Sequence, residues 1–190
     1  MFIKWIQRLG SAKQIALLAG LGGIGILTGC AFGGCEKRKK NFRFQVDPTS
    51  ELYTAAVEAA ANWTRATGVM CTVSADGDIP IILTPNPECP LPPEYAGTGK
   101  VVMGCTMDTD KDGARIEMNV KNLSAPPEEL VVNIMHEMGH ILRGDYDHLN
   151  NPEDKCCIMA PAYDTCKRAI TPKDIDFICQ CLECPASPNS

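Results

Sequence analysis

Apolar positions along this chain recur with two periods, so the sequence predicts a domain that contains both helices and strands. In three stretches, 52–63, 130–141 and 175–182, apolar side chains recur every three or four residues, which is the spacing of one helix face. Polar capping residues or prolines precede each stretch, and Gly68 and Gly144 follow the first two, as is usual at helix ends. We therefore expect three amphipathic helices that each bury one face.

Short β-rich segments lie before and between the first two predicted helices. They cover residues 42–46, 69–73, 79–83, 101–107 and 114–120. Asp112-Gly113 joins the last two, and an Asp-Gly pair between strands is a strong hairpin signal. A chain of 190 residues is short for two domains, so we expect one α+β domain over residues 42–190.

The predicted hairpin turn is acidic and raises the question of a calcium site. Asp108, Asp110 and Asp112 precede a glycine in the D-x-D-x-D-G order that opens an EF-hand loop. A complete loop needs a bidentate glutamate at its twelfth position, where this chain has Asn119. The flanking segments are also predicted strands rather than helices. A solvated acidic turn is the favoured interpretation, and Ca²⁺ at the three aspartates is the alternative.

A basic and then apolar leader precedes the predicted domain. Lys4, Arg8 and Lys13 form the basic head, and the apolar run that follows ends in Leu27-Thr28-Gly29-Cys30. This ending resembles the lipobox of bacterial lipoprotein signal peptides, in which the cysteine is lipidated and becomes the first residue. The resemblance implies lipidation at Cys30.

The leader sets the expected location of the protein. We expect a lipoprotein signal peptide over residues 1–29 and a tether over 30–41. The protein is then an exported bacterial lipoprotein, anchored to a membrane on its periplasmic or cell-surface side. The alternative is an uncleaved anchor that stops at the basic run 37–40, because positive charge after an apolar segment resists export.

Charge and cysteine content narrow the choice of partners and compartment. The formal net charge is −5. The leader contains three basic residues and no acidic ones, so its removal makes the chain more acidic, and a nucleic-acid partner is not expected. Ten of the 11 cysteines remain after Cys30, and a dense, even set in an exported chain predicts disulfide bonds. The closely spaced Cys179, Cys181 and Cys184 leave a second metal site as an alternative.

The second predicted helix carries a metal-binding motif, His136-Glu137-Met138-Gly139-His140. Two histidines four residues apart project from one helix face, so both imidazoles can reach the same Zn²⁺ ion. Glu137 lies beside that face and can take a proton from the attacking water. A catalytic zinc needs a third protein ligand, and His148 and Asp147 are the candidates that follow Gly144.

Together with these histidines, the sequence over roughly residues 42–183 resembles the metzincin zinc peptidases, and within them the matrixin-like branch, and residues 136–163 are the specific part of the resemblance. His136 and His140 are followed by a glycine and a third histidine, and then by Cys157-Ile158-Met159-Ala160-Pro161-Ala162-Tyr163. The resemblance implies that Met159 forms the methionine turn beneath the metal. It also implies that Pro161 and Tyr163 line the specificity pocket.

The same resemblance implies a fold and a mode of substrate binding. The expected fold is zincin-like: a twisted mixed sheet with an active-site helix, above a disulfide-rich C-terminal subdomain with the methionine turn. The strand over residues 114–120 is expected to be the edge strand that pairs with an extended substrate.

The third ligand is where this chain departs from the matrixin pattern. Three residues separate His140 from Gly144, where the family has two, and the family position of the third histidine holds Tyr146. We choose His148, because imidazole suits zinc and the later residues follow the matrixin order. Asp147 is the rival, because snapalysins use an aspartate that is followed directly by histidine.

These features together predict a zinc-dependent endopeptidase that acts as a monomer on protein or peptide substrates. Glu137 is the expected general base, and one Zn²⁺ is the expected cofactor. Two alternatives stay open: a catalytically weak lipoprotein that binds a partner through the same cleft, and a zinc hydrolase of cell-wall amide bonds.

Overall fold

The computed structural model describes residues 41–89, 101–108, 113–161, 168–182 and 184, all within one compact unit, Gly34–Ser190. The predicted signal peptide, the tether up to residue 40 and the predicted lipidation site Cys30 lie outside the described residues, as do Asp110, Asp112 and Tyr163. Within the described part, no helix combines the length and apolar character needed to cross a membrane.

Five strands form one mixed sheet. They are β1 (Asn41–Gln45), β2 (Met70–Ser74), β3 (Ile79–Thr84), β4 (Gly104–Met107) and β5 (Arg115–Asn119). Their order across the sheet is β2-β1-β3-β5-β4, and only β4 is antiparallel to its neighbour. The predicted strands and the hairpin between the last two are confirmed, although β4 begins three residues later than expected.

Three α-helices accompany the sheet: α1 (Tyr53–Thr67), α2 (Pro127–Arg143) and α3 (Pro172–Cys179). Gly68 and Gly144 end the first two in the left-handed conformation, with φ of 70° and 82°, which costs a glycine little. A capping box between Thr171 and Asp174 opens α3. The prediction of an α+β fold is therefore confirmed.

The core lies where α1 and α2 pack on each other and on the sheet. Trp63 is fully buried in it, and its indole N–H donates to the carbonyl of Met135 at 2.8 Å. Phe44 and Ile116 from the sheet and Ile134 from α2 are also fully buried. Because a polar group that is buried needs a hydrogen-bond partner, this one bond locks the register of α1 against the helix that carries the histidine motif.

The prediction that residues 114–120 form an edge strand is wrong. The segment that becomes β5 lies between β3 and β4, and β4 is the outer strand of the described sheet. After β3, the chain forms the outer strand β4. It then reverses, and β5 runs antiparallel to β4 and parallel to β3, between the two. Among the described strands, the edge at this side of the sheet is therefore β4.

The prediction of disulfide bonds is confirmed, although two of the described cysteines are not part of one. Cys89 bonds to Cys105 and Cys179 bonds to Cys184, while Cys71 and Cys157 are free thiols inside the protein. Cys71 lies on the core side of β2, and its burial raises its pKa to about 12. The Cys179–Cys184 bond also argues against a thiolate metal site at these two positions, because a metal needs free thiolates.

Candidate metal centre

Helix α2 and the turn after it bring three histidines together. His136 and His140 lie one helical turn apart, and the chain reverses at Gly144 so that His148 returns to them. Nε2 of His136 lies 3.2 Å from Nε2 of His140 and 3.2 Å from Nε2 of His148. One nitrogen from each ring lies within 4.8 Å of the others, a grouping that can hold a metal ion.

Hydrogen bonds to the backbone set the tautomers of two of these rings. Nδ1 of His136 lies 2.7 Å from the carbonyl oxygen of Ile158, and Nδ1 of His140 lies 3.1 Å from that of Asp145. A carbonyl only accepts, so both Nδ1 atoms carry the proton and both Nε2 atoms carry a lone pair. These lone pairs face each other at 3.2 Å, an arrangement that a bound cation would stabilise.

The environment keeps the three rings neutral. Burial lowers the pKa of His136 and of His148 to about 4, and burial likewise holds the pKa of His140 well below its usual value. Neutral imidazole is the form that binds metal. The donor set therefore fits a metal such as Zn²⁺, which takes three protein nitrogens in catalytic sites.

The two candidates for third ligand have different surroundings. His148 joins the cluster. The Asp147 side chain is 74% exposed, and its carboxylate lies 3.7 Å from the guanidinium of Arg143. The structure therefore places the imidazole, and not the Asp147 carboxylate, with His136 and His140.

Met159 lies directly beneath α2. Its side chain is fully buried, and its sulfur is so close to Gly139 that a Cβ at this position would clash with it. The Met159 amide donates to the carboxylate of Asp174 at 2.9 Å, and its carbonyl accepts from the amide of Leu149 at 2.9 Å. The turn is thus fixed to α3 on one side and to the residue after His148 on the other.

Glu137 points from α2 to the outer strand of the sheet. Its Oε2 accepts a hydrogen bond of 2.7 Å from the Thr106 hydroxyl, which also lies 3.0 Å from the Glu137 carbonyl oxygen. Burial raises the pKa of Glu137 to about 7, against the opposing effect of the Thr106 hydrogen bonds. A group with a pKa near neutrality is suited to exchange protons at neutral pH.

Gly104, on the same strand, leaves room for that carboxylate. A Cβ at Gly104 would lie 2.6 Å from Oε1 of Glu137 and 2.8 Å from its Cγ. Real Cβ atoms essentially never approach heavy atoms so closely, so any larger residue would displace the Glu137 side chain. Gly104 and Thr106 together fix where the carboxylate lies.

No protein-family model matches the chain, and a search of curated proteins found no similar sequence. The interpretation of the site therefore depends on the chemistry of the side chains that the fold brings together.

The remaining predicted site residues are less informative. Pro161 is exposed at the end of a described segment, and Tyr163, its predicted partner in a specificity pocket, lies outside the described residues. Asp108 has a positive φ of 50°, but Asp110 and Asp112 also lie outside. The specificity pocket and the calcium site both stay predictions.

Sequence reasoning missed Thr106, Gly104 and Asp174 as residues that support the site. The sequence pattern predicts only that Thr106 and Gly104 lie in a strand and that Asp174 lies at the start of a helix. Asp174 is fully buried and accepts three hydrogen bonds, from Met159 N, Thr171 N and the Thr171 hydroxyl. The capping pattern Thr171-x-x-Asp174 could have indicated its local role, but not its contact with Met159.

Proposed function

We propose that this protein is a zinc-dependent endopeptidase of the metzincin type. The observation that carries the proposal is the grouping of three imidazoles, with one nitrogen of each within 4.8 Å of the others, on a helix that also buries the carboxylate of Glu137, the residue next to His136. His136, His140 and His148 are the proposed ligands, and Glu137 is the proposed general base. Met159, held beneath α2 at Gly139, supports the resemblance to the metzincin methionine turn.

The donor set and its surroundings suggest separate roles for the metal, Glu137 and Thr106. Zn²⁺ bound by the three imidazoles would supply Lewis acidity, which lowers the pKa of water and polarises a peptide carbonyl. Glu137 accepts the proton of the attacking water and donates it to the leaving amine. The Thr106 hydroxyl holds the Glu137 carboxylate in place during both transfers.

The sheet supports a peptide as the substrate. Strand β4 is the outer strand of the described sheet, and it carries Gly104 and Thr106 next to Glu137. An extended peptide that pairs with β4 would therefore pass close to the proposed general base. This role was assigned to the segment of β5 from the sequence, and we now propose it for β4.

The reaction products formed from an unfolded protein and from cell-wall material distinguish the endopeptidase from its two alternatives. We expect the purified full-length chain to cut an unfolded protein at internal peptide bonds, identified by mass spectrometry of the fragments. Release of peptides or sugars from cell-wall material, without cleavage of the unfolded protein, would instead favour an amide hydrolase of the cell wall. Binding of zinc without any hydrolysis would favour a binding module.

The role of Thr106 gives a prediction with a matched control. Thr106→Val keeps the shape of the side chain but removes the hydroxyl, while Thr106→Ser keeps it. A hydrogen bond to a charged group contributes about 1.5–3 kcal/mol, so we expect Thr106→Val to lower kcat by about 10–100-fold. Zinc content and KM should stay near the wild-type values.

Kinetics of the two variants on one peptide substrate measure this effect. Recovery of most of the activity in Thr106→Ser would attribute the loss to the hydroxyl. Wild-type kcat in Thr106→Val would show that Glu137 does not depend on this contact.

A further inference from the structure

Arg143 is the last residue of α2, three positions after His140, and only 9% of its side chain is exposed. A buried guanidinium is costly unless its donors are satisfied. The N–H donors of Arg143 contact two parts of the fold, the turn that leads to His148 and the helix α3. This arrangement connects the proposed metal ligands to the C-terminal helix.

Toward the turn, Arg143 contacts two aspartates. Its Nε donates to Oδ1 of Asp145 at 2.9 Å, and its guanidinium lies 3.7 Å from the carboxylate of Asp147. The two carboxylates offset the positive charge of Arg143, which matters because the charge lies close to a proposed cation site. The Asp145 contact is short and partly buried, so it is the stronger of the two.

Toward α3, Arg143 contacts both backbone and side chains. Its Nη1 donates to the carbonyl of Phe177 at 2.5 Å and lies 3.4 Å from Oε1 of Gln180. The guanidinium carbon also lies 3.7 Å from the centre of the Phe177 ring, a stacking geometry that suits arginine better than lysine. Arg143 therefore fastens the turn to a helix that is itself anchored by the Thr171–Asp174 capping box.

Asp145 connects Arg143 to the proposed ligands through two hydrogen bonds of its own. Its carbonyl accepts from Nδ1 of His140, which fixes the orientation of that ring. Its Oδ1 accepts from the amide of Asp147 at 3.1 Å, and the amide of Leu149 donates to Met159 at 2.9 Å. His148 is therefore held between two anchored amides, and one of these anchors depends on Asp145 and Arg143.

We propose that Arg143 is a positioning residue for the metal centre, which acts through Asp145 to hold His140 and His148 in the geometry that binds the ion. This inference rests on the proposed metal site but not on peptide hydrolysis. Groups that orient metal ligands typically change affinity by about 10–100-fold when they are removed. We expect the same range for the loss of Arg143.

The test measures zinc affinity of the full-length chain by competition with a chromophoric chelator. The variants are Arg143→Met, Arg143→Lys and Asp145→Ala. The control is Arg65→Met, in the last turn of α1, where the exposed Arg65 bonds only to Asn62 among the contacts that the structure describes. Absorption spectra of the Co²⁺-loaded proteins report the coordination geometry around the metal, and thermal melting of the metal-free proteins reports stability.

Arg143→Met and Arg143→Lys should weaken zinc binding by about 10–100-fold and change the Co²⁺ spectrum, while Arg65→Met should change neither. A folded Arg143→Met variant with wild-type spectrum and zinc affinity within about threefold of the wild type would overturn the inference, even if it melts earlier. If Arg143→Met does not fold, Asp145→Ala decides by the same criterion.

The outcomes separate this inference from the proposed function. A wild-type chain that binds zinc, loses affinity with Arg143→Met, but cleaves no peptide would defeat the endopeptidase and support the positioning role. A wild-type chain that binds no zinc would defeat both.

Discussion

Replacement of Glu137 by glutamine should abolish peptide hydrolysis while zinc stays bound. The amide has nearly the same shape as the carboxylate but cannot accept the proton of the attacking water. Loss of a general base lowers the rate by about 10²–10⁴-fold, and the three-histidine cluster contains no carboxylate among the described residues that could replace Glu137. The measurement is the steady-state rate on an unfolded protein, with zinc content determined on the same preparation.

The buried position of Glu137 makes the glutamine variant a fair test. Its Oε2 accepts from Thr106 at 2.7 Å, and a glutamine oxygen can accept the same bond. Zinc content equal to that of the wild type is therefore the required control. Activity within a few-fold of the wild type in the zinc-loaded variant would remove Glu137 from the mechanism.

Loss of His148 should release the metal, whereas loss of Asp147 should not. His148→Ala leaves two imidazoles, one ligand fewer than catalytic zinc sites use. We expect its zinc affinity to fall by more than the roughly 10–100-fold that is typical of residues behind the ligands. Asp147→Ala removes a long and mostly exposed ion pair with Arg143, which contributes about 0–1 kcal/mol, and a negative charge near His148, but no proposed ligand.

The two alanine variants serve as controls for each other, because they alter adjacent positions of one turn. Zinc affinity is measured for both by competition, with circular dichroism as a check of folding. The assignment of His148 is wrong if Asp147→Ala loses the metal and His148→Ala keeps it, and the snapalysin-like arrangement then replaces it.

Local patterns were sufficient to predict the elements that carry the chemistry. The apolar stripe and the two glycines predicted where α1 and α2 end, and the histidine spacing predicted that His136 and His140 share one face. The Asp-Gly pair predicted the hairpin that joins β4 and β5. Each of these depends on residues a few positions apart, whose geometry the backbone alone largely decides.

Long-range packing explains what the sequence did not reveal. The place of β5 inside the sheet depends on how the hairpin packs against β3. The bond from Thr106 to Glu137 spans 31 residues, and no periodicity marks a hydroxyl on one strand as the partner of a carboxylate on a distant helix. Cys71 and Cys157 are free and buried, and composition cannot predict which cysteines of a dense set stay free.

Arg143 shows what the sequence can and cannot reveal about a residue near the site. The sequence shows that three residues, with Arg143 as the last, separate His140 from Gly144, one more than in the matrixin pattern. The structure shows that Arg143 contacts Asp145 in the turn and Phe177 in α3. Its proposed role follows from those contacts and could not be derived from the spacing.

Reversible removal of the metal tests the central claim most directly. The purified full-length chain is assayed on an unfolded protein as isolated, after a chelator has removed the metal, and after Zn²⁺ has been returned, with the Glu137→Gln variant in parallel. The account predicts cleavage with one zinc per chain, none without the metal, and recovery when zinc is returned. Cleavage that persists in the metal-free protein, or its absence in the zinc-loaded wild type, would contradict the proposal of a zinc endopeptidase.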